Sequence, residues 1–333
     1  MSRLARDLAG GLLATSEVAA SRSITNDFNA EGLMAEGDSP TVARRRVRLV
    51  LREAREAAGF TQQDVAEQME WSLSKVIRIE NGDVTIAPND LRPLLTYLNV
   101  KDRAQVADLL ATAKIARTRQ RQAWYQKPEF REHLTDGLRR LIEYETEALS
   151  VHSYSVFHIP GTLQLPSYSR ALINMWRDEM TDEQREYRLE ARRLRHEAVL
   201  QRIGSLRMTA LLDESVFMRA VGGPEIFAEQ LEEILRLEEQ DLVKIRMFPF
   251  TADAALSYNA GFDIVFLGSE DEETEAGDKV NAVMYRETGT SDEIVEDKAV
   301  TTRHFDRYRK LWEAAIDEDE TVDFVKKRIR ELR

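Results

Sequence analysis

The sequence predicts a mixed fold: a five-helix unit over residues 41–118, then a larger α+β domain over 124–333. Three observations predict it. From Thr41 onward, apolar residues recur at helical spacing in short runs separated by capping residues. The charge changes along the chain: residues 42–123 carry 15 Lys and Arg against 10 Asp and Glu, whereas the whole chain stands at −12. Beyond Ala123, apolar runs of strand length alternate with long amphipathic stretches.

The first helix follows from Val47, Leu51, Ala54 and Ala58, which share one face, and Gly59 suits its left-handed end. Thr61 caps a second helix, Gln62–Met69, with Val65, Ala66 and Met69 inward. Ser72 caps a third, with Val76 and Ile79 on the same core, and Gly82 closes it. Pro88 fits the first turn of a fourth, reaching Leu98, and a fifth runs from about Lys101 to Ala116.

In the larger domain, ALSVHSYSVFHIPG reads as a strand ending at Pro160, and Ser167–Arg177 and Asp182–Ile203 as helices. A strand is expected near Met208–Leu212 and a strongly periodic helix over Pro224–Glu239. VKIRMFPF, FDIVFLG and VNAVMYRE read as three strands at hairpin-like spacing, the last two separated by the acidic loop SEDEETEAGD. Ile294–Ile316 and Thr321–Leu332 read as closing helices. Residues 1–40 lack sustained periodicity and read as a disordered tail, although Leu4, Leu8 and Leu12 share a face.

Composition excludes several classes. The chain has no cysteine, so neither a disulfide framework nor a thiolate metal site is expected. The five histidines are scattered without metal-ligand spacing, and no metal or cofactor is expected. No apolar run approaches the roughly 20 residues of a membrane span. The N-terminus loosely mimics a signal peptide, but Asp7, Gly10 and Gly11 break its apolar stretch, so a cytoplasmic protein is expected.

The stretch TQQDVAEQMEWSLSKVIRIENG, Thr61–Gly82, is a candidate DNA-reading hairpin. Such a hairpin needs a small residue where its helices cross, which Ala66 supplies. Its second helix needs apolar anchors, Val76 and Ile79, and a polar outward face, Ser74, Lys75 and Arg78. Gln62 opens the first of the two helices, where free amides and its own side chain face phosphates. Any helical hairpin shows some of this, so the wording carries more than the spacing. Thr-Gln-x-x-Val-Ala, then Ser-x-Ser-Lys-Val-x-Arg-Ile-Glu-Asn-Gly, resembles the XRE-type helix-turn-helix of phage-repressor-like regulators, over roughly 44–116. The resemblance implies a lambda-repressor-like five-helix fold and DNA contacts from Gln62, Ser72, Leu73, Ser74, Lys75 and Arg78. It also implies an ion pair between Arg55 and Glu80, tying the first helix to the third. One departure is Glu70, at a turn position often held by Gly. A left-handed conformation there costs roughly 1–2 kcal/mol. Leu73 and Ile77 are also less polar than typical base readers.

HIPGTLQLPSYSRALI, LLDESVFMRAVGGPEIFAEQLEEIL and VKIRMFPF are similar to the C-terminal domain of a large group of actinobacterial XRE-type regulators, over about 124–315. Where that group commonly has Leu-Gln-Thr, this chain has Leu163-Gln164-Leu165. Those regulators are often encoded beside a small partner protein and are described as antitoxin-like. The resemblance implies a transcription regulator binding double-stranded DNA, with its C-terminal domain answering to that partner or to a ligand. A single hairpin per chain implies a homodimer, held by the larger domain through Pro224–Glu239, Ile294–Ile316 and its strand edges.

Catalysis has weaker support. Asp213 and Glu214 follow a strand, but adjacent carboxylates at a strand end point to opposite sides. Gly222-Gly223-Pro224 reads as a turn into a helix, and His158 sits beside a Pro-Gly turn rather than in any nucleophile motif. No enzyme is expected. The alternative is a ligand-binding or enzymatic C-terminal domain, with the helical unit making only protein contacts.

Overall fold

Pro40 opens the first helix, α1 (Pro40–Ala57), and Ser39 caps it by accepting from the Val42 amide. Proline suits this position because its missing N–H falls among the donors that no helix satisfies. The computed structural model describes residues 39–118, 123–175, 177–252, 260–274, 277–287 and 292–333. The expectations for the N-terminal tail and its leucine face lie outside the described residues, apart from Ser39 and Pro40.

Four further helices complete the first unit: α2 (Gln62–Gln68), α3 (Leu73–Asn81), α4 (Pro88–Tyr97) and α5 (Arg103–Ala116). Each boundary has a local cause. Gly59 and Gly82 take left-handed conformations at φ 74° and 82°, and Thr61, Ser72 and Asp102 cap α2, α3 and α5 through their side chains. Val47, Leu51, Val65, Ala66, Val76 and Ile79 close onto Leu91, Leu94, Leu95 and Leu109 from the last two helices. The five helices therefore share one small core of their own.

The larger domain begins with elements that periodicity left unassigned: a 3-10 turn at Trp124–Gln126, α6 (Pro128–His133) and α7 (Asp136–Glu147). A six-stranded sheet follows, with β1 (Ser150–Ser155), β2 (Arg207–Asp213), β3 (Val243–Phe248), β4 (Phe262–Phe266), β5 (Ala282–Glu287) and β6 (Asp292–Val295). The order across it is β3-β2-β1-β4-β5-β6. Strands β1, β2 and β3 run parallel, while β4, β5 and β6 attach antiparallel, with Val151 of β1 opposite both Met208 and Val265.

The connections explain the order. α8 (Pro166–Asn174) and α9 (Asp182–Leu200) cross from β1 to β2, and α10 (Glu214–Met218) and α11 (Pro224–Glu239) from β2 to β3. Parallel neighbours need such crossovers, and helices pack on both faces of the strands, burying β1 and β2 except at their ends. One face carries Met208, Ala210, Leu212, Ile245 and Val265 against Tyr168, Phe227, Leu231 and Ile234. The other packs His152 and Phe266 against Phe305 and Tyr308 of α12 (Lys298–Ala314). α13 (Glu318–Leu332) closes the chain on α11 and β3.

Four expectations are corrected here. β3 does not pair with β4; it lies at the far edge, three strands away, because the crossover through α10 and α11 returns it beside β2. The first strand stops at Ser155, well short of Pro160. The start of the Ile294–Ile316 stretch is strand, not helix: β6 runs to Val295, and Asp297 caps α12 only afterwards. The amphipathic faces expected to hold a dimer are consumed within the chain. Phe227, Leu231 and Ile234 of α11 and Phe305, Tyr308 and Leu311 of α12 are all buried. Both sheet edges are also covered. Ile316 N–H donates to the Met247 carbonyl at 3.1 Å, and Met247 N–H donates to Thr321 Oγ1 at 3.0 Å, along β3. Along β6, the Thr135 hydroxyl bonds Asp292 and Gly137 lies against the same residue; a Cβ on Gly137 would meet the Asp292 carbonyl at 2.5 Å.

Candidate nucleic-acid interface

Ser72 ends the turn after α2 in extended backbone, and its hydroxyl accepts from the Lys75 amide at 3.2 Å. That bond sets the start of α3 and fixes which residues face out. Val76 and Ile79 point into the core at 3% and 4% exposure, so the opposite stripe carries Leu73, Ser74 and Arg78 exposed, with Ile77 half-buried beside them. Asn81 ends that stripe. α2 crosses beneath, with Ala66 buried at the contact. Thr61 and Asp64 lock its start reciprocally: Asp64 N–H donates to Thr61 Oγ1 at 3.1 Å, and Thr61 N–H donates to Asp64 Oδ2 at 2.7 Å. The second bond also holds the Asp64 carboxyl below its ordinary range. Glu70 does take the left-handed turn, at φ 55°, in spite of its side chain.

The orientation of α3 is clamped from behind. Arg55 Nε donates to Glu80 Oε1 at 2.6 Å and Arg55 Nη2 to Glu80 Oε2 at 3.0 Å, a two-pronged pair with both side chains buried. Arg55 also donates to the Phe60 carbonyl at 2.9 Å, which ties in the chain just before α2.

Two of the expected contact residues are engaged within the unit. Gln62 Nε2 donates to Glu80 Oε2 at 2.8 Å, so its side chain joins the clamp rather than facing outward. Lys75 Nζ lies 3.7 Å from the centre of the Trp71 ring and 3.2 Å from Asp90 Oδ2. Leu73, Ser74 and Arg78 remain on the open stripe; among the described residues, Arg78 has no hydrogen-bonding or ionic partner for its guanidinium. Ser72 is exposed, with its hydroxyl already serving the cap.

A second set of residues escaped the sequence reading. α1 carries Arg45 and Arg48 one turn apart, and both reach Glu296, between β6 and α12. Tyr144 of α7 joins them, accepting from Arg48 at 2.9 Å and donating to Glu296 Oε1 at 2.7 Å. Arg45 also donates to the Ala282 carbonyl at 3.1 Å. Burial alone would push the Glu296 carboxyl up; the two arginines and the tyrosine hydroxyl outweigh it and hold it at about 2. Around this centre, Thr41 and Arg44 bond Glu143, Lys298 pairs with Glu53 at 2.8 Å, and Arg140 donates to the Asn81 carbonyl at 2.9 Å. The five-helix unit is therefore docked on the sheet domain, and the described residues form one compact body. The available signal was the run Arg44-Arg45-Arg46-Val47-Arg48, which places two arginines on the buried side of an apolar-faced helix.

Among the described residues no helix is long and apolar enough to cross a membrane. The helix-turn-helix domain family matches residues 47–109, from the middle of α1 to the middle of α5. No curated protein and no solved structure matches the chain. Residues 138–327, from α7 into α13, match a domain of unknown function, DUF5753. That match takes in the whole sheet and more than half of the chain, and the protein belongs to the DUF5753 family, with a helix-turn-helix domain ahead of the family's defining region.

Proposed function

We propose that the protein is a sequence-specific transcription regulator of the XRE type that binds double-stranded DNA as a homodimer in the cytoplasm. The observation that carries this reading is the open stripe on α3. Leu73, Ser74 and Arg78 stand exposed on a helix whose other side is buried and clamped through Glu80. A helix held this rigidly, with one unpartnered arginine outward, suits insertion into a major groove, where arginine reads guanine through two acceptors.

The larger domain is the regulatory unit in this reading. It answers to a small partner protein, as in antitoxin-like systems, or to a ligand. Its docking on α1 supports the idea, since anything that moves Glu296 or α7 bears directly on the helix that orients α3. A non-catalytic role is supported by the two adjacent carboxylates at the end of β2, both of which are engaged by backbone amides. Asp213 accepts from the Ser215 amide at 2.9 Å to cap α10, and Glu214 accepts from the Phe250 amide at 2.8 Å. His152 and Glu270 approach to 3.3 Å at 3% and 4% exposure, too enclosed to meet a substrate.

Dimerisation rests on the need for two readers per site. With the faces of α11 and α12 consumed, the exposed Phe157, Met218 and Phe250 offer an apolar surface just beyond the carboxyl ends of β1, β2 and β3. A mobility shift on the DNA upstream of the protein's own coding sequence tests the reading. A retarded complex that survives excess random duplex supports it; equal competition by random duplex sinks it. Sedimentation of the free and DNA-bound protein at micromolar concentration gives the stoichiometry, and a monomer in both states removes the dimer.

A further inference from the structure

The first turns of α1, the end of α3 and the segment from Ala123 to Tyr144 enclose a cleft of about 1180 Å3. Seven arginines line it, against the carboxylates of Asp83, Asp136 and Glu143. Arg45 and Arg48 are already committed to Glu296. Of the rest, Arg44 pairs with Glu143 at 3.1 Å, Arg139 pairs with Asp136, and Arg140 stands 3.6 Å from Asp83. That accounts for every carboxylate of the lining. Arg78 and Arg131 have no carboxylate partner among the described residues, and Arg45 and Arg48 share one, so the seven arginines face four carboxylates and the cleft keeps an excess of three positive charges.

The hydrogen bonding is incomplete in the same place. Arg44 Nε and Arg139 Nε are buried donors without an acceptor. A buried donor left unpaired is costly, and an arginine donor is best satisfied by an oxyanion. Side-chain exposures of 30% for Arg44 and 14% for Arg139 place these groups inside a recess, where a small molecule fits better than the flank of a duplex. The volume exceeds that of most small-molecule pockets, so a single phosphate would leave most of it to water. Arg78 belongs both to this lining and to the open stripe of α3.

We propose that the cleft is an effector site for a small anion carrying two or more phosphate groups, and that the anion and DNA compete for Arg78. The second half of the proposal rests on the DNA-binding reading above. The site links the helix-turn-helix to α6 and α7, so occupancy both draws Arg78 away from the groove and tightens the docking of the two domains.

The test is calorimetric titration of the full chain with inorganic tripolyphosphate, and with inorganic phosphate for comparison. One molecule of tripolyphosphate per chain is expected, bound at least tenfold more tightly than phosphate. Arg131→Gln and Arg139→Gln each weaken it by about tenfold, the scale of one charge-assisted hydrogen bond. Arg236→Gln on the distant α11 leaves it unchanged. Arg131 is exposed, so its variant reports even if Arg139→Gln fails to fold. In mobility shifts, saturating tripolyphosphate lowers affinity for the specific DNA, and less so for Arg131→Gln. No saturable binding, or binding indifferent to both arginine variants, overturns the site. So does a loss of DNA affinity in those variants with tripolyphosphate binding intact, which would assign the cleft to the DNA backbone. A protein that binds tripolyphosphate normally but shifts no DNA refutes the regulator reading and leaves the anion site standing.

Discussion

Arg48 and Glu296 lie 248 residues apart in the chain and form a buried ion pair, with Tyr144 bonded to both. The pair fixes the N-terminal half of α1 against the start of α12. Glu296→Gln leaves two buried arginines facing one neutral amide. Unfolding free energy in urea is expected to fall by about 3–5 kcal/mol. A change under 1 kcal/mol would show that the arginines find other acceptors, and that the docking does not depend on this carboxylate.

The same carboxyl predicts an acid limb. It is held at about 2 in the folded protein, below its unfolded value of roughly 4.3. A depressed acid contributes stability that is fully present above its unfolded pKa and is lost as pH falls through the folded one. The contribution is on the order of 3 kcal/mol, and the loss falls between about pH 5 and pH 2. Urea midpoints measured across that range should drop more steeply in the native chain than in Glu296→Gln. Parallel curves would assign the acid limb to other groups.

Arg78→Ala should cost about 1–3 kcal/mol on the best DNA site and relax base preference at one position. Competition binding against a panel of single-base variants reads this directly. Uniform weakening on specific and random DNA would make Arg78 a phosphate contact. Lys75→Ala should have a smaller effect, because its ammonium is held by Trp71 and Asp90.

Glu80→Ala removes the acceptor of both Arg55 and Gln62. The stranded arginine should cost about 3–5 kcal/mol, with a loss of DNA affinity beyond what the remaining folded fraction explains, since α3 loses its clamp. Retained stability would mean that Arg55 is solvated on release.

Glu70→Gly should stabilise the protein by roughly 0.5–1 kcal/mol. Relief of a left-handed glutamate outweighs the added freedom of the unfolded chain. Thermal melting of the two proteins decides it; a lower midpoint for the glycine variant would show that the Glu70 side chain makes up for its backbone.

The helices of the first unit were legible because their signals are local. Thr61 and Ser72 cap, Gly59 and Gly82 turn left-handed, and Pro88 starts a helix, all within a few residues of what they control. Strand partners were not legible. The buried alternation of Val243–Phe248 identifies a strand, but the same pattern fits a hairpin with β4 or a parallel neighbour of β2. In the sequence β6 reads as helix because Ile294 falls in register with the apolar face that follows, and only the Asp297 cap separates them. On α3 the exposed stripe follows from period alone, which is why Leu73, Ser74 and Arg78 stand where expected. Lys75 and Gln62 do not stand free, because their partners, Asp90 and Glu80, come from turns and helices whose approach only the folded chain defines.

The docking of α1 has a consequence for how the protein is made. The five-helix core draws only on residues near the start of the chain, so it has all its parts once α5 has left the ribosome. Glu296 is synthesised 248 residues after Arg48, which at about 5–20 residues per second is roughly 12–50 s later. The bonds that cover β3, from Ile316 and Thr321, come later still. Throughout that interval the nascent chain carries a finished helix-turn-helix whose Arg45 and Arg48 have no carboxylate to meet and whose neighbouring sheet still has open edges. Docking is thus a late event of biosynthesis, and a chain cut short before Glu296 would retain the reader while losing the carboxylate that holds it.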